Sequence, residues 1–277
     1  MASIETSSET KQELQFWESQ QRNGDEADLK MARDLPDDTP QFILATLAQF
    51  ERDAVDFCFG DAQGRVLDAG CGNGNLLTGA LKKDVDGRGP ANATRFVGMD
   101  FSANMLHRAA ARANGPETEF LQGIVNRLPF QDQSFDRVVS SGVLTCLSSV
   151  QEAADALMEF HRVLKPDGVL VVDFFNCHSH FTLLRKYFKR EPINPPEYVS
   201  PTGFTRELED AGFQVITRRG FDFKPCQGYL FMSRLRPLVD PCFVQEKFSR
   251  FLEAKVVPRH PELIRLGYRI YVKCRRI

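Results

Sequence analysis

The 277-residue sequence lacks any strong imbalance of charge, since it contains 35 Lys and Arg residues against 37 Asp and Glu residues. No apolar run approaches the roughly 18 residues that span a membrane, and "MASIETSSET" lacks the basic and apolar parts of a secretory leader. These absences argue against a membrane-spanning or secreted protein, and the overall balance gives no signal for nucleic-acid binding. We therefore expect a globular protein of the cytoplasm.

Cysteine pairs are also missing. The seven cysteines form no CxxC motif and no cluster with histidine at metal-ligand spacing, so no metal site is predicted. An odd number of thiols with apolar neighbours indicates reduced and mostly buried cysteines. Their positions are Cys58, Cys71, Cys146, Cys177, Cys226, Cys242 and Cys274.

Charge is uneven along the chain although its total is small. Residues 1–64 hold 5 basic and 14 acidic side chains, whereas residues 231–277 hold 11 basic and 4 acidic side chains. Two interpretations remain open: ordinary acidic and basic surface helices, or a basic face that docks an anionic partner.

Short apolar segments alternate with helical segments from residue 64 onward. The apolar segments are "RVLDAG", "RFVGMD", "TEFLQG", "FDRVVSS" and "GVLVVDFF". Because each is too apolar to be half exposed, the pattern predicts an α/β fold with a parallel sheet covered by helices on both faces. Helices are expected to begin near Gly74, Ser102 and Val150, and "KPDG" is expected to form a turn.

The segment "VLDAGCGNG" ends an apolar run with three glycines and opens a helix. Such a turn offers backbone N–H groups and a positive helix end to a ligand, without side chains in the way. Gly70, Gly72 and Gly74 form GxGxG, so the GxGxxG pattern of dinucleotide-binding proteins is not met. Asp68 favours a ligand with a cationic group, because a carboxylate would repel a pyrophosphate.

Asp100 ends the next apolar segment, 26 residues after Gly74. An acid at this place can accept two hydrogen bonds from the hydroxyls of a ribose. Ser102 is the better cap for the helix that follows, which leaves Asp100 for the ligand.

Four blocks in the order "VLDAGCGNG", "VGMDFSANML", "LPFQDQSFDRVVSSGVL" and "FHRVLKPDGVLVV" resemble the class I S-adenosylmethionine-dependent methyltransferases, and in particular the ubiquinone and menaquinone biosynthesis type. The resemblance covers residues 64–175. It implies a doubly wound, Rossmann-like sheet of seven strands whose last strand, "GYRIYVKCRR", is antiparallel. Residues 1–63 would form an N-terminal helical cap, and residues 64–277 the methyltransferase domain, with a cofactor half at 64–175 and a lid and helical insertion at 176–266.

The resemblance also implies S-adenosylmethionine as the cofactor. Its methionine end would lie at the glycine turn, its ribose at Asp100, and its adenine near Phe101, Met105 and the loop after the third apolar segment. The methionine amine would meet the end of the fourth segment, at Ser140 or Ser141. The complete predicted set is Asp68, Gly70, Cys71, Gly72, Gly74, Asp100, Phe101, Met105, Ile124, Val125, Ser140 and Ser141.

The sequence departs from the family pattern at two positions. Ile124 stands where many relatives have an acid that accepts from the adenine amino group, which leaves apolar packing, the Val125 backbone or Asn126 to hold the ring. Thr145 stands where relatives often have a histidine, so no base is predicted there.

Methyl transfer from a sulfonium is an in-line displacement, so alignment of the reactants dominates and a base is needed only for a protonated nucleophile. His178 and His180 follow the fifth apolar segment and are the candidate catalytic residues, because histidine titrates near neutrality. Asp173 inside that segment is expected to orient a neighbour or to mark the ligand crevice. The amphipathic "FTLLRKYFKR" is interpreted as a lid, which could also contact an anionic surface weakly; the role of its basic part at 185–190 stays open.

The favoured function is methyl transfer to a small-molecule acceptor, at oxygen, nitrogen or carbon. "SSGV" replaces the Asn/Asp-Pro-Pro-aromatic tetrapeptide of many enzymes that methylate DNA, RNA or protein, and no nucleic-acid partner is expected. Two alternatives remain: an RNA or protein methyltransferase that docks through the basic C-terminal region, and a non-catalytic S-adenosylmethionine-binding module. The oligomeric state is not predicted.

Overall fold

The computed structural model describes Gln15 and residues 41–85, 94–113, 118–189, 198–221, 223 and 244–277. The predicted cap and insertion are therefore described in part. Their remaining segments, which include residues 16–40 and 224–243, lie outside the described residues.

Eight strands and seven α-helices make up the described fold. The strands are β1 Arg65–Ala69, β2 Arg95–Asp100, β3 Thr118–Gln122, β4 Phe135–Ser140, β5 Leu164–Asn176, β6 Tyr198–Val199, β7 Phe213–Phe221 and β8 Arg269–Arg276. The helices are α1 Gln41–Phe59, α2 Asn75–Val85, α3 Ala103–Arg112, α4 Val150–Val163, α5 His180–Lys189, α6 Pro201–Asp210 and α7 Val244–Phe251. Short 3₁₀-helices lie at Leu144–Cys146 and Pro261–Leu266, and a short π-helix lies at Leu252–Val256.

All the strands belong to one sheet, whose order is β3-β2-β1-β4-β5-β8-β7. Strands β1 to β5 pair in parallel, and β8 runs antiparallel to both β5 and β7. This arrangement confirms the predicted α/β fold with an antiparallel last strand. The difference from the prediction is β6, a two-residue strand that pairs in parallel with the end of β5 and is too short to give a periodic sequence pattern.

Helices cover both faces of the sheet, as the apolar strands require. One face packs α1 and α2 against β-strand residues such as Val66, Val171 and Tyr271. The other face packs α4 and α6 against residues such as Leu67 and Val172. Because the strands β1 to β5 all point the same way, the loops that follow them gather at one edge of the sheet, which we call the carboxyl edge.

The predicted "KPDG" turn lies inside β5, where the pairing with β4 is irregular. Phe135 pairs with Leu164 but Arg137 pairs with Val169, and Asp167 adopts a φ of 62°. The extra residues therefore form a bulge between two paired parts of one strand instead of a separate turn before it.

Candidate functional site

The glycine turn lies at the carboxyl edge, between β1 and α2. Gly70, Gly72 and Gly74 have φ values of 79°, 53° and 74°, in the left-handed region that residues with a Cβ rarely adopt. Gly70 and Cys71 both donate their backbone N–H to the carbonyl of Met99 on β2, at 2.7 and 2.9 Å. A Cβ added at Gly72 would have no atom within 4 Å, so the turn leaves an open cradle on that side.

Cys71 contributes packing to the turn and not a reactive thiol. Its side chain is buried, and its Sγ lies 3.7 Å from the carbonyl oxygen of Gly72. Burial, together with the carboxylates of Asp68 and Asp100, raises the pKa of the Cys71 thiol well above its ordinary value. The thiol is therefore neutral and poorly nucleophilic.

Asp100 connects the glycine turn to the start of α3. Its two carboxylate oxygens accept from the backbone N–H groups of Gly72, at 2.8 Å, and of Ser102, at 2.9 Å. Ser102 caps α3 as predicted, since its hydroxyl accepts from the Met105 N–H at 3.2 Å. A carboxylate oxygen can accept more than one hydrogen bond, so these two bonds are compatible with the predicted ribose contact.

Asp68 is a buried carboxylate at the end of β1, and its Oδ2 atom has no hydrogen-bond partner. Burial, and secondarily the nearby Asp100 carboxylate, raises the pKa of Asp68 from 3.8 to about 7. A buried acid of this kind is satisfied when a cationic donor binds beside it. The α-ammonium of the methionine end of S-adenosylmethionine is such a donor, so Asp68 and the open cradle at Gly72 fit this cofactor.

The predicted adenine region is formed by the segments that follow β2 and β3. Asp100 pairs in register with Gln122, so these two segments leave the sheet side by side. The side-chain amide of Gln122 donates to the carbonyl of Phe101 at 2.9 Å. The side chains of Met105 and Val125 are buried, and Ile124 is half buried. An apolar platform is therefore present where many relatives have an acid.

The two serines at the end of β4 differ in their surroundings. The Ser140 hydroxyl is buried and has no hydrogen-bond partner. The Ser141 hydroxyl instead lies 2.7 Å from the hydroxyl of Tyr271 and accepts from Nη2 of Arg269 at 3.2 Å. Ser140 is thus the better partner for a polar group of the cofactor.

A buried ion pair joins β5 to β8 beside this site. Nε of Arg269 donates to one Asp173 oxygen, and the Gly142 N–H donates to the other at 2.6 Å. Although burial opposes the charge of Arg269, the Asp173 carboxylate holds the pKa of the guanidinium above its ordinary value. The prediction that Asp173 orients a neighbour is consistent with this pair. Arg269 was missed, and its only signal was a charged residue inside the apolar segment "GYRIYV".

The two candidate catalytic histidines lie at the carboxyl edge, in the connection from β5 to α5. Both side chains are exposed, and the backbone N–H of His178 donates to the Asn176 side chain at 2.9 Å. No hydrogen bond of either imidazole occurs among the described residues, so the catalytic role of His178 and His180 stays a prediction. The described part of the chain also contains no group of His, Cys, Asp and Glu side chains that could hold a metal ion.

The fold is that of an α/β protein whose glycine turn and buried Asp68 fit a nucleoside with a cationic substituent. Comparisons with known proteins point to the same class. The family profile described as "Methyltransferase domain" matches residues 66–168. A demethylmenaquinone methyltransferase of Lactobacillus johnsonii is 42% identical over 178 residues, which are 55% of this chain and 69% of that protein. A demethylmenaquinone methyltransferase of Chlorobaculum tepidum is 37% identical over 109 residues, which are 39% of this chain and only 40% of that protein.

Among solved structures, the magnesium protoporphyrin IX methyltransferase of Synechocystis PCC 6803 aligns with a TM-score of 0.57 and 16% identity, covering 97% of this chain and 100% of that chain. This likeness supports the fold. The chain belongs to the class I S-adenosylmethionine-dependent methyltransferase family, and the predicted family, enzyme class and cofactor are thereby confirmed. Among the described residues, no helix has the length and apolar character needed to cross a membrane.

Proposed function

We propose that the protein transfers a methyl group from S-adenosylmethionine to a small organic acceptor. The observation that carries this proposal is the unpartnered, buried carboxylate oxygen of Asp68 beside the open cradle at Gly72. When bound, S-adenosylmethionine supplies a methyl group on a positively charged sulfur, which makes the methyl carbon electrophilic.

The residues at the glycine turn would bind and orient the cofactor. Asp68 would accept from its ammonium group, Asp100 from its ribose hydroxyls, and the backbone of Gly70 to Gly74 would face its methionine end. The Ser140 hydroxyl would complete the polar contacts. Met105 and Val125 would pack against the adenine ring.

Residues at the carboxyl edge would position the acceptor and remove its proton. The transfer needs alignment of the acceptor atom with the methyl carbon in a site from which water is excluded. An oxygen or carbon acceptor also loses a proton, which His178 or His180 would accept. Helix α5 begins at His180 and would act as a lid. A hydrogen bond from the Thr182 hydroxyl to the Asn176 carbonyl, at 2.9 Å, joins its first turn to the end of β5.

A quinone-type ring is the first candidate acceptor, since the Lactobacillus and Chlorobaculum relatives are named demethylmenaquinone methyltransferases. Aromatic side chains beside the carboxyl edge suit such a ring. The rings of Phe175 and Tyr268 stack with centroids 4.9 Å apart, and Phe181 meets Tyr268 edge-on at 4.8 Å. Planar acceptors bind well against aromatic walls.

Docking of RNA or protein through the basic C-terminal region is less well supported. Three of its described cations are occupied inside the molecule: Arg269 pairs with Asp173, Lys273 pairs with Asp61 at 2.9 Å, and Arg276 donates to a backbone carbonyl. These contacts withdraw part of the basic charge from a docking face, although other cations of the region, such as Lys255 and Arg259, are exposed.

The test is a calorimetric titration with S-adenosylmethionine, followed by measurement of S-adenosylhomocysteine formation with reduced 1,4-naphthoquinone and with other phenolic and enolic acceptors. We expect binding and turnover with at least one acceptor, and neither with the Gly72→Val variant. Binding by the native protein without any turnover would support the non-catalytic module instead. Absence of binding would overturn the proposal.

A further inference from the structure

Arg269 lies at the carboxyl edge and is not one of the residues predicted to contact the cofactor. It is the first residue of β8 and pairs in register with Phe175 at the end of β5 and with Phe221 at the end of β7. The whole residue is only 9% exposed. Because Arg269 is buried at the edge where ligands bind, each of its N–H donors is expected to have a partner in the protein or in a ligand.

Two of the three nitrogens of Arg269 have partners. Nε donates to Asp173 and Nη2 donates to the Ser141 hydroxyl at 3.2 Å. Nη1 has no hydrogen-bond partner among the described residues, and 11% of the Arg269 side chain is exposed. The N–H groups of Nη1 are therefore the donors of Arg269 that remain for a ligand.

The charges around Arg269 direct its positive end outward. The Asp173 side chain is completely enclosed, while 11% of the Arg269 side chain is exposed. The other titratable groups nearby are Tyr271, Tyr268 and Cys58. Burial raises the pKa values of the Tyr271 hydroxyl and the Cys58 thiol, so neither supplies a competing anion. A ligand at Nη1 thus meets the cationic end of an ion pair.

Aromatic rings flank the guanidinium. Its central carbon lies 5.7 Å from the ring centroids of Phe50 and Phe175, and 5.2 Å from that of Tyr271. These faces hold the guanidinium in place and offer apolar area to a planar molecule.

The loop that follows β4 connects this arginine to the cofactor turn. Arg269 contacts Ser141, and Asp173 accepts from the Gly142 N–H. The next residue, Val143, packs so closely on Gly70 that any Cβ there would collide with it. Arg269 and the glycine turn are therefore connected through one short loop at the same edge of the sheet.

We propose that Arg269 binds an oxygen atom of the acceptor, and that the acceptor is a planar phenol or enol whose oxygen is bound in the anionic form. This inference rests on the proposed function and names the substrate class. A charged donor stabilises a phenolate more than a phenol, so binding at Arg269 promotes loss of the hydroxyl proton, which His178 or His180 would accept. The negative charge spreads over the ring and makes its oxygen or adjacent carbon a better nucleophile.

The experiment compares 4-nitrophenol with its neutral relative 4-nitroanisole, in the presence of S-adenosylhomocysteine. We expect the native protein to bind the phenol about tenfold more tightly, since a charge-assisted hydrogen bond adds at least this factor. The visible absorbance of the bound phenol should show ionisation at a lower pH than in free solution. Equal binding of the two probes, no binding of either, or an unchanged ionisation would each overturn the proposal.

Variants separate the role of Arg269 from a purely structural one. Arg269→Gln, and the double variant Arg269→Gln with Asp173→Asn that leaves no unpaired charge, should lose the preference for the phenol. Arg269→Lys should restore part of it. The matched control is Arg137→Gln, because Arg137 is a buried, ion-paired arginine of β4 that lies away from the carboxyl edge. A preference that persists in a folded Arg269→Gln or double variant would overturn the proposal.

Binding of S-adenosylhomocysteine is measured separately for each variant. Failure of the proposed function would appear as lost cofactor binding or absent methyl transfer in the native protein. Failure of the inference about Arg269 would leave both intact and remove only the preference for the phenol.

Discussion

Two buried carboxylates lie in neighbouring parts of one sheet, Asp68 at the end of β1 and Asp173 within β5, and their partners differ. Asp173 accepts from the Arg269 guanidinium and from a backbone N–H, whereas one oxygen of Asp68 has no partner. Burial raises the pKa of Asp68 to about 7, while Asp173 is held beside a permanent cation. The paired acid is thus part of the folded framework, whereas the unpaired acid has one oxygen that a ligand could contact.

The largest expected effect is the loss of stability when the paired acid, Asp173, is replaced. Asp173→Ala leaves the Arg269 guanidinium buried without its counter-ion, which should lower the free energy of unfolding by about 3–5 kcal/mol. Urea unfolding followed by circular dichroism measures this change. Asp132→Ala, which removes the exposed partner of Arg162, should cost about 1 kcal/mol or less. Equal losses in the two variants would mean that the buried Asp173–Arg269 pair contributes no more to stability than the exposed Asp132–Arg162 pair.

The unpaired acid, Asp68, should make the stability of the protein depend on pH. The folded protein retains a proton on Asp68 up to pH about 7, whereas the unfolded chain releases it near 3.8. The free energy of unfolding without cofactor should therefore fall as the pH rises between these values, by at most about 1.4 kcal/mol per pH unit.

Asp68→Asn should remove this pH-dependent part of the stability, and it should also weaken S-adenosylmethionine binding. In the native protein the affinity for S-adenosylmethionine should rise toward pH 7, since the ionised carboxylate is the form that pairs with the ammonium. Thermal unfolding across pH, with and without cofactor, measures both trends. Identical pH profiles for the native protein and the variant would contradict the assignment.

A third change concerns the acid that connects the turn to α3. Asp100→Ala should weaken S-adenosylmethionine binding by about 1–3 kcal/mol, because the ribose hydroxyls lose a charged acceptor and the Gly72 N–H loses its partner. Calorimetric titration gives the affinity. Asp100→Asn, which keeps one acceptor oxygen, should lose less. An unchanged affinity in Asp100→Ala would refute the ribose contact.

The smallest expected effect is the loss of turnover when the exposed histidines are replaced. His178→Ala and His180→Ala should slow turnover while leaving S-adenosylmethionine affinity unchanged, since neither imidazole is part of the glycine turn. The rate of S-adenosylhomocysteine formation across pH measures the loss, and His161→Ala on α4 serves as the control. If neither variant is slower, the acceptor loses its proton without these side chains.

The sequence alone determined the parallel strands β1 to β5 and the glycine turn. Strong local patterns carry this information: continuous apolar runs for buried parallel strands, and glycines where the backbone needs positive φ values, as at Gly70 and Gly72. Ser102 could be predicted as a helix cap for the same reason, because capping involves residues only three positions apart. The two-residue strand β6 and the bulge inside β5 left no such pattern.

Only the tertiary structure decided which of the polar residues are paired. Asp173 and Arg269 are 96 residues apart and meet because β8 inserts antiparallel beside β5. The same insertion occupies the Ser141 hydroxyl and leaves that of Ser140 unpartnered. Local sequence can indicate that a strand end carries an acid. Whether that acid finds a cation depends on long-range strand order, and therefore on the folded sheet.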